Sequence, residues 1–195
     1  AWLTSKYGIS AQDITYLYTA DHAQINALLG RQDITSSGLV IHYPNAPEIF
    51  RVRLCEPLTQ ADGSTAKYLS PAGMRNALFV PPSADITAEE LIVTEGELKS
   101  IRAVQAGLNV AALSGIWGWR TGNSGLVDKL PDDDALIPEL NRDWTGQTIF
   151  LLFDSDITPT HKGRPAFSRL AEQLYRLGAY NVIIGNVPAT SGGVS

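Results

Sequence analysis

Three carboxylates in this sequence stand at positions where chemistry is done. Glu95 closes the apolar run Leu91-Ile92-Val93-Thr94 and is followed by Gly96. Asp154 and Asp156 follow the purely hydrophobic Ile149-Phe150-Leu151-Leu152-Phe153. In open parallel sheets, ligands sit outside the carboxyl ends of the strands. Residues two apart on extended backbone point the same way, so Asp154 and Asp156 both face such a crevice and Glu95 approaches it from a neighbouring strand. Carboxylates brought together repel one another unless a cation joins them, and hard oxygen donors of this kind suit Mg²⁺ or Mn²⁺. Each piece alone is ordinary turn sequence; the combination carries the expectation of a metal centre.

Other residue types are weighed beside them. Lys99 and Arg102 lie at i, i+3 just past Glu95, which puts them on one side of a helix and suits phosphate contact. Arg51 and Arg53 read as solvated faces of a strand. Trp117 and Trp119 sit two apart in a long Gly-containing connection, where fastening the loop to the core is the expected role and stacking on bases the alternative. His161 reads as a surface histidine. Cys55, the single cysteine, rules out an internal disulfide and a multi-cysteine zinc site; it is expected to be a small buried apolar side chain.

The elements that must position these residues fall into two styles. Up to the proline pair Pro81-Pro82, the spacing predicts helices over Ile9 to Leu17 and Asp21 to Leu29, the second capped by Asp21 or Thr19 and stopped by Gly30. Strands are expected at Gly38 to Tyr43, Ile49 to Leu54 and Thr65 to Leu69, the first two joined through the turn-forming Pro44-Asn45-Ala46-Pro47. After Pro82 the pattern alternates: strand 91–94, helix 97–106, strand 110–113, strand 149–153, helix 165–177 and strand 182–184. Continuous apolar strands with intervening helices mean a mostly parallel sheet flanked by helices. The expected architecture is therefore an α/β domain over residues 83–195, preceded by a small α+β subdomain over residues 1–82.

Composition excludes several classes. The chain has 195 residues, 44% hydrophobic and 18% charged, with a formal net charge of −5. That is ordinary globular composition, and it argues against a protein that coats nucleic acid by bulk electrostatics. Residues 1–88 carry six Lys/Arg against seven Asp/Glu, and residues 89–195 nine against thirteen, so contact with nucleic acid has to come from local basic clusters. No run approaches the roughly 18 apolar residues of a membrane span, and a reducing, cytoplasmic setting is expected. Starting at Ala1 and closing on Ser191-Gly192-Gly193-Val194-Ser195, the chain reads as a piece of something longer.

Together, Val93-Thr94-Glu95-Gly96, Val110 to Gly115 and Phe150 to Asp156 resemble the Toprim superfamily, whose pattern is a strand ending in Glu-Gly, a helix, a strand ending near glycine, and a strand ending in Asp-x-Asp. The likeness covers about residues 89–188. Upstream, Ala66-Lys67-Tyr68-Leu69-Ser70-Pro71 and Asn76-Ala77-Leu78-Phe79 are similar to the stretch preceding Toprim in DnaG-type primases, and Gly38 to Tyr43 resembles a strand of the same region. Lys99, in Glu-Gly-x-x-Lys, and Arg164 to Leu170 are most similar to DUF3854, a Toprim-like domain of plasmid, phage and mobile-element replication proteins. The chain departs from DnaG-type Toprim domains after Asp156, where Ile157 to Gly163 replaces an Ala-Gly; that insertion would present Lys162 and Arg164 to a phosphate.

The resemblance implies that Glu95, Asp154 and Asp156 are catalytic and bind Mg²⁺ or Mn²⁺, and that Lys67, Lys99, Arg102, Lys162 and Arg164 contact nucleic acid. It further implies primase-type nucleotidyl transfer on a DNA template, possibly with an RNA primer, using nucleotides and working with a helicase domain. Two alternatives stay open beside it: a non-catalytic module that binds nucleic acid or a helicase, and a Toprim-type nuclease.

Overall fold

A computed structural model describes residues 2–10, 14–121, 135–153 and 163–186, with Trp2, Arg164 and Asn186 by backbone alone. They form two compact units, Ala11–Arg75 and Ala1–Ser10 with Asn76–Ser195.

In the first unit, β1 (Leu17–Ala20), α2 (His22–Leu29), β2 (Gly38–Tyr43), β3 (Ala46–Thr59) and β4 (Thr65–Leu69) follow in sequence. The strands make an antiparallel sheet in the order β1-β2-β3-β4. Asp21 caps α2 as read from the sequence: its carboxylate accepts from the Gln24 N–H at 2.9 Å while the Gln24 side chain accepts from the Asp21 N–H at 3.0 Å, a reciprocal capping box. Ile25 and Leu29 of that helix are buried against Ala20, Val40, Val52 and Leu54. Gly38 is required by crowding: a Cβ there would stand 2.7 Å from the Arg53 carbonyl oxygen and 3.2 Å from the Ile25 Cδ1. The helix expected over Ile9 to Leu17 does not form at its described residues, and Leu17 instead begins β1, pairing with Ile41. Aromatic and β-branched residues at Tyr16, Tyr18 and Thr19 favour a pleated strand once β2 offers its edge.

The second unit holds a four-stranded parallel sheet flanked by helices. Its elements are α1 (Trp2–Tyr7), β5 (Glu90–Glu95), α3 (Glu97–Gln105), β6 (Val110–Leu113), β7 (Thr148–Phe153), α4 (Gly163–Arg176) and β8 (Asn181–Asn186). The strand order is β6-β5-β7-β8, every neighbour parallel. The crossovers step outward in both directions from the β5–β7 centre, and the right hand that such connections adopt as a rule puts α3 and α4 on opposite faces. Leu91, Val93, Ala111, Leu113, Ile149, Leu151 and Phe153 pack with Ala166, Phe167, Leu170 and Leu174 of α4 in one buried cluster. Arg142 lies over the Trp144 ring at 4.3 Å, donates to the Ile86 carbonyl at 3.0 Å and binds the Gln147 side chain.

The division between units differs from a break at the proline pair. Phe79 exchanges both backbone hydrogen bonds with Ala112 at 2.8 Å, so the segment before Pro81 extends the parallel sheet along its β6 edge. Ser10 likewise bonds the Gln105 side chain through both its N–H and its carbonyl, at 3.0 and 2.8 Å, bringing the first ten residues to α3. Prolines stop regular structure, but where the backbone finds its hydrogen-bond partners decides which unit a segment joins. No described helix is long and apolar enough to cross a membrane.

Candidate functional site

Strand alternation carries the apolar row Leu91, Val93 onward to Glu95 on the same face of β5. Glu95 is in register with Leu113 of β6, and Thr94 with Leu152 of β7. The carboxylate therefore stands where the apolar core of the parallel sheet runs out, half-buried, with its Oε2 shielded from water. The turn beyond it is fixed by Gly96, whose φ of 90° belongs to the left-handed region that only glycine enters freely. Its N–H donates to the Leu113 carbonyl at 3.0 Å, tying the turn to β6. α3 begins at once with Glu97, which is fully buried, and the Ser100 hydroxyl donates to the Glu97 carbonyl at 2.8 Å.

Glu97 is a residue the sequence reading passed over. Acids at a helix start ordinarily sit in solvent and complement the macrodipole. Burying one is costly unless it is neutralised or partnered, and the only signal was the repeated acid in Glu-Gly-Glu. Beside Glu95, β6 gives way to Ser114 and a turn in which the Gly118 N–H donates to the Gly115 carbonyl at 2.8 Å. Ser114 Oγ lies 3.5 Å from the Asn76 side-chain oxygen, and Asn76 Nδ2 donates to the Arg120 carbonyl at 3.0 Å. A carboxylate, a hydroxyl and an amide thus line the carboxyl ends of β5 and β6.

On the other side of β5, β7 ends at Phe153, whose ring lies 4.3 Å from that of Phe167. Asp154, Asp156, His161 and Lys162 lie outside the described residues, as does the side chain of Arg164, whose backbone belongs to the first turn of α4. Among the described residues no group of three His, Cys, Asp or Glu could hold a metal. The structure thus brings Glu95 to the strand end next to the one that leads into Asp154.

The basic candidates separate. Lys99 and Arg102 are exposed on α3, and Arg102 runs alongside Gly8, where a Cβ would sit 3.2 Å from its Nε. Lys67 is exposed on β4 in the antiparallel unit. Arg53 corrects the expectation of a solvated strand face: it is 8% exposed, and both it and Arg51 lie over the Tyr68 ring, at 5.7 and 4.8 Å. Tyr68 pairs with Arg53 across β3 and β4, a contact invisible to local sequence. Cys55 is a second correction: it is exposed, and its sulfur accepts from the Ser37 hydroxyl at 3.6 Å. Trp119 is fully buried and Trp117 packs against the same core, their rings 5.9 Å apart. The Trp119 carbonyl accepts from the Ile137 N–H at 2.9 Å, so the pair fastens its loop to the core.

These features define an α/β protein whose parallel sheet carries an acidic residue at a strand end, beside the strand that leads to an Asp-x-Asp. The family model described as "Domain of unknown function (DUF3854)" matches residues 85–194, more than half of the chain, and the chain belongs to that family. Neither a curated protein nor a solved structure matches it.

Proposed function

We propose that this chain is the metal-dependent nucleic-acid module of a mobile-element DNA replication protein, performing primase-type nucleotidyl transfer. The reading rests on the Toprim resemblance and is carried by one observation: Glu95 ends β5 beside β7, and β7 ends at Phe153, immediately before Asp154. In this reading Asp154 and Asp156 hold Mg²⁺ or Mn²⁺. Glu95 completes the shell or moves a proton at the attacking hydroxyl. The donor set is all oxygen, and the shielded Oε2 of Glu95 is a hard donor withdrawn from bulk water, which fits such an ion. The bound ion would neutralise charge developing on the transferred phosphoryl group.

Lys67, Lys99, Arg102, Lys162 and Arg164 contribute phosphate contacts, so binding of DNA template and nucleotides should fall steeply with salt. A helicase domain, in the same or a partner chain, is the expected companion. The test is calorimetric titration of Mn²⁺ into the wild type and Asp154→Asn, together with metal-dependent synthesis by the parent protein. The variant should lose Mn²⁺ binding, and synthesis should fall by roughly 10²- to 10⁴-fold. Equal Mn²⁺ binding by the two proteins would falsify the assignment, and cut strands in place of new ones would move the chemistry to a nuclease.

A further inference from the structure

We propose that the outer edge of β8 is a self-association surface, on which a second copy of this chain lays its own β8 antiparallel to the first about a two-fold axis at Ile184. The inference goes beyond the functional reading above and does not depend on it.

β8 closes one side of the parallel sheet, and among the described residues no strand lies outside it. Its hydrogen bonds show which backbone groups point outward. The Val182 N–H donates to the Tyr175 hydroxyl of α4 at 2.9 Å rather than to β7, so Val182 turns toward the open side. Asn181 instead donates to the Gln147 carbonyl at 3.4 Å, on the β7 side. Alternation then turns Ile184 outward with Val182. Lysine, proline and bulges are the usual guards of such an edge. The strand Asn181-Val182-Ile183-Ile184-Gly185-Asn186 has neither residue, and its register with β7 runs without a shift. Tyr175 covers Val182, and Ile184 is left 43% exposed. Tyr175, Tyr180, Ile183 and Ile184 are four of the seven large hydrophobic residues exposed among those described, so exposed apolar surface gathers at this edge rather than scattering.

Charge and register select a second copy as the occupant. The chain carries a formal net charge of −5, so two copies repel each other on approach. Residues 177–186 contain no Asp, Glu, Lys or Arg, and Arg176, the charge just before them, is paired with Glu172. At this edge two like-charged copies meet without opposing charges of one sign. Paired residues of antiparallel strands share a face, so a two-fold axis normal to the sheet passes through a residue and not between two. With the axis at Ile184, its N–H and C=O exchange both hydrogen bonds with Ile184 of the second copy. An axis at Val182 or Ile183 would draw its central bonds from the Val182 N–H, which the Tyr175 hydroxyl already holds. Ile183 then lies opposite Gly185 of the second copy, a large side chain against none. The axis keeps α4 of both copies on one side of the joined sheet, with Tyr175 reaching the seam. The result is an isologous contact built by strand addition.

The test is analytical ultracentrifugation of the chain as it stands, over a micromolar concentration series. The wild type should dimerise reversibly. Ile184→Asp sets two like charges against each other across the axis, and Ile184→Lys does the same with the opposite sign. Each should weaken the dimer by roughly 100-fold or more. Mixed in equal amounts, the two variants should form a one-to-one heterodimer, because opposite charges then face each other at the axis. That recovery reads the register itself, and a fold damaged by either substitution could not produce it. Leu108→Asp changes a residue that is 51% exposed and lies just before β6, the strand at the other end of the sheet order. It should dimerise as the wild type does. A wild type that stays monomeric throughout the series overturns the proposal, as does Ile184→Asp dimerising unchanged or a mixture of the two variants that stays monomeric.

Discussion

Leu91, Val93, Ile149, Leu151 and Phe153 of the parallel sheet are all at most 1% exposed, while Tyr18, His42 and Phe50 of the antiparallel sheet remain partly open to solvent. The two sheets have the same number of strands. They differ in what lies on them. A parallel sheet needs a crossover between strands, and the crossovers deliver helices to its faces, so polar side chains are pushed to the strand ends, where Glu95 stands. An antiparallel sheet is closed by short turns, and here one eight-residue helix, α2, packs on a face that carries all three rings. The parallel sheet therefore leaves its strand ends to polar groups, while the antiparallel sheet buries Leu39, Val40, Ile41 and Val52 and leaves open the margin that carries Tyr18.

The sharpest way to break this contrast is to open the closed core. Trp119 is fully buried, its ring packed into the cluster that holds Leu113, Ile137 and Leu140. Trp119→Ala should cost about 3–5 kcal/mol, read by urea unfolding of the wild type and the variant. A loss below about 1 kcal/mol, the scale of an exposed site, would mean that the loop is draped over the sheet rather than fastened into it.

A smaller effect tests the antiparallel sheet where it is closed. At Gly38 the added methyl of Gly38→Ala would meet the Arg53 carbonyl at 2.7 Å, a backbone atom that cannot swing aside as a side-chain end could. Overpacking of this kind costs roughly 1–3 kcal/mol. If the variant melts with the wild type, strands β2 and β3 are looser at this point than the open part of the same face, and the contrast within that sheet fails.

The parallel unit was the more legible of the two in sequence. β6 matches its expected bounds, α3 ends one residue early at Gln105, and β5 and β7 each begin one residue early. Buried parallel strands write themselves as unbroken apolar runs, and a helix between them stops at a glycine. In the antiparallel unit the sequence also predicts β2 and β4 to the residue, but not β1, whose first residue Leu17 ends the helix expected from Ile9; in the parallel unit it does not predict α1. An edge strand with one partner depends on that partner more than on its own letters. The candidate site divides along the same line. The place of Glu95 at a strand end is legible because a strand-to-helix turn with Glu-Gly is a local signal. The burial of Arg53 and Glu97 was not found, because each depends on residues brought in by the fold, and charges are read as solvated by default.

The smallest expected effect concerns a device that both units share. Asp62, Asp85 and Asp143 each sit two residues before a Ser or Thr and accept from both its N–H and its hydroxyl: at 2.9 and 2.6 Å from Ser64, 2.8 and 2.6 Å from Thr87, and 2.9 and 2.6 Å from Thr145. In all three the hydroxyl bond is the chief cause, and the backbone N–H the next, that holds the carboxyl below its ordinary value of 3.8. Hydrogen bonds to the charged form favour that form. The sign of the linkage follows: a depressed folded-state pKa contributes stability that is fully present above the unfolded value and is lost as pH falls through the folded one. These turns should therefore hold at neutral pH and weaken only below about pH 4. Thr145→Val removes the hydroxyl and leaves the N–H, so the Asp143 carboxyl should titrate closer to 3.8, followed by NMR of the carboxyl carbon. The acid limb of the melting curve should flatten slightly in the same variant. An Asp143 titration unmoved by Thr145→Val would show that the backbone N–H alone sets its acidity, and the same substitution logic at Ser64 and Thr87 would then have to be abandoned in both units.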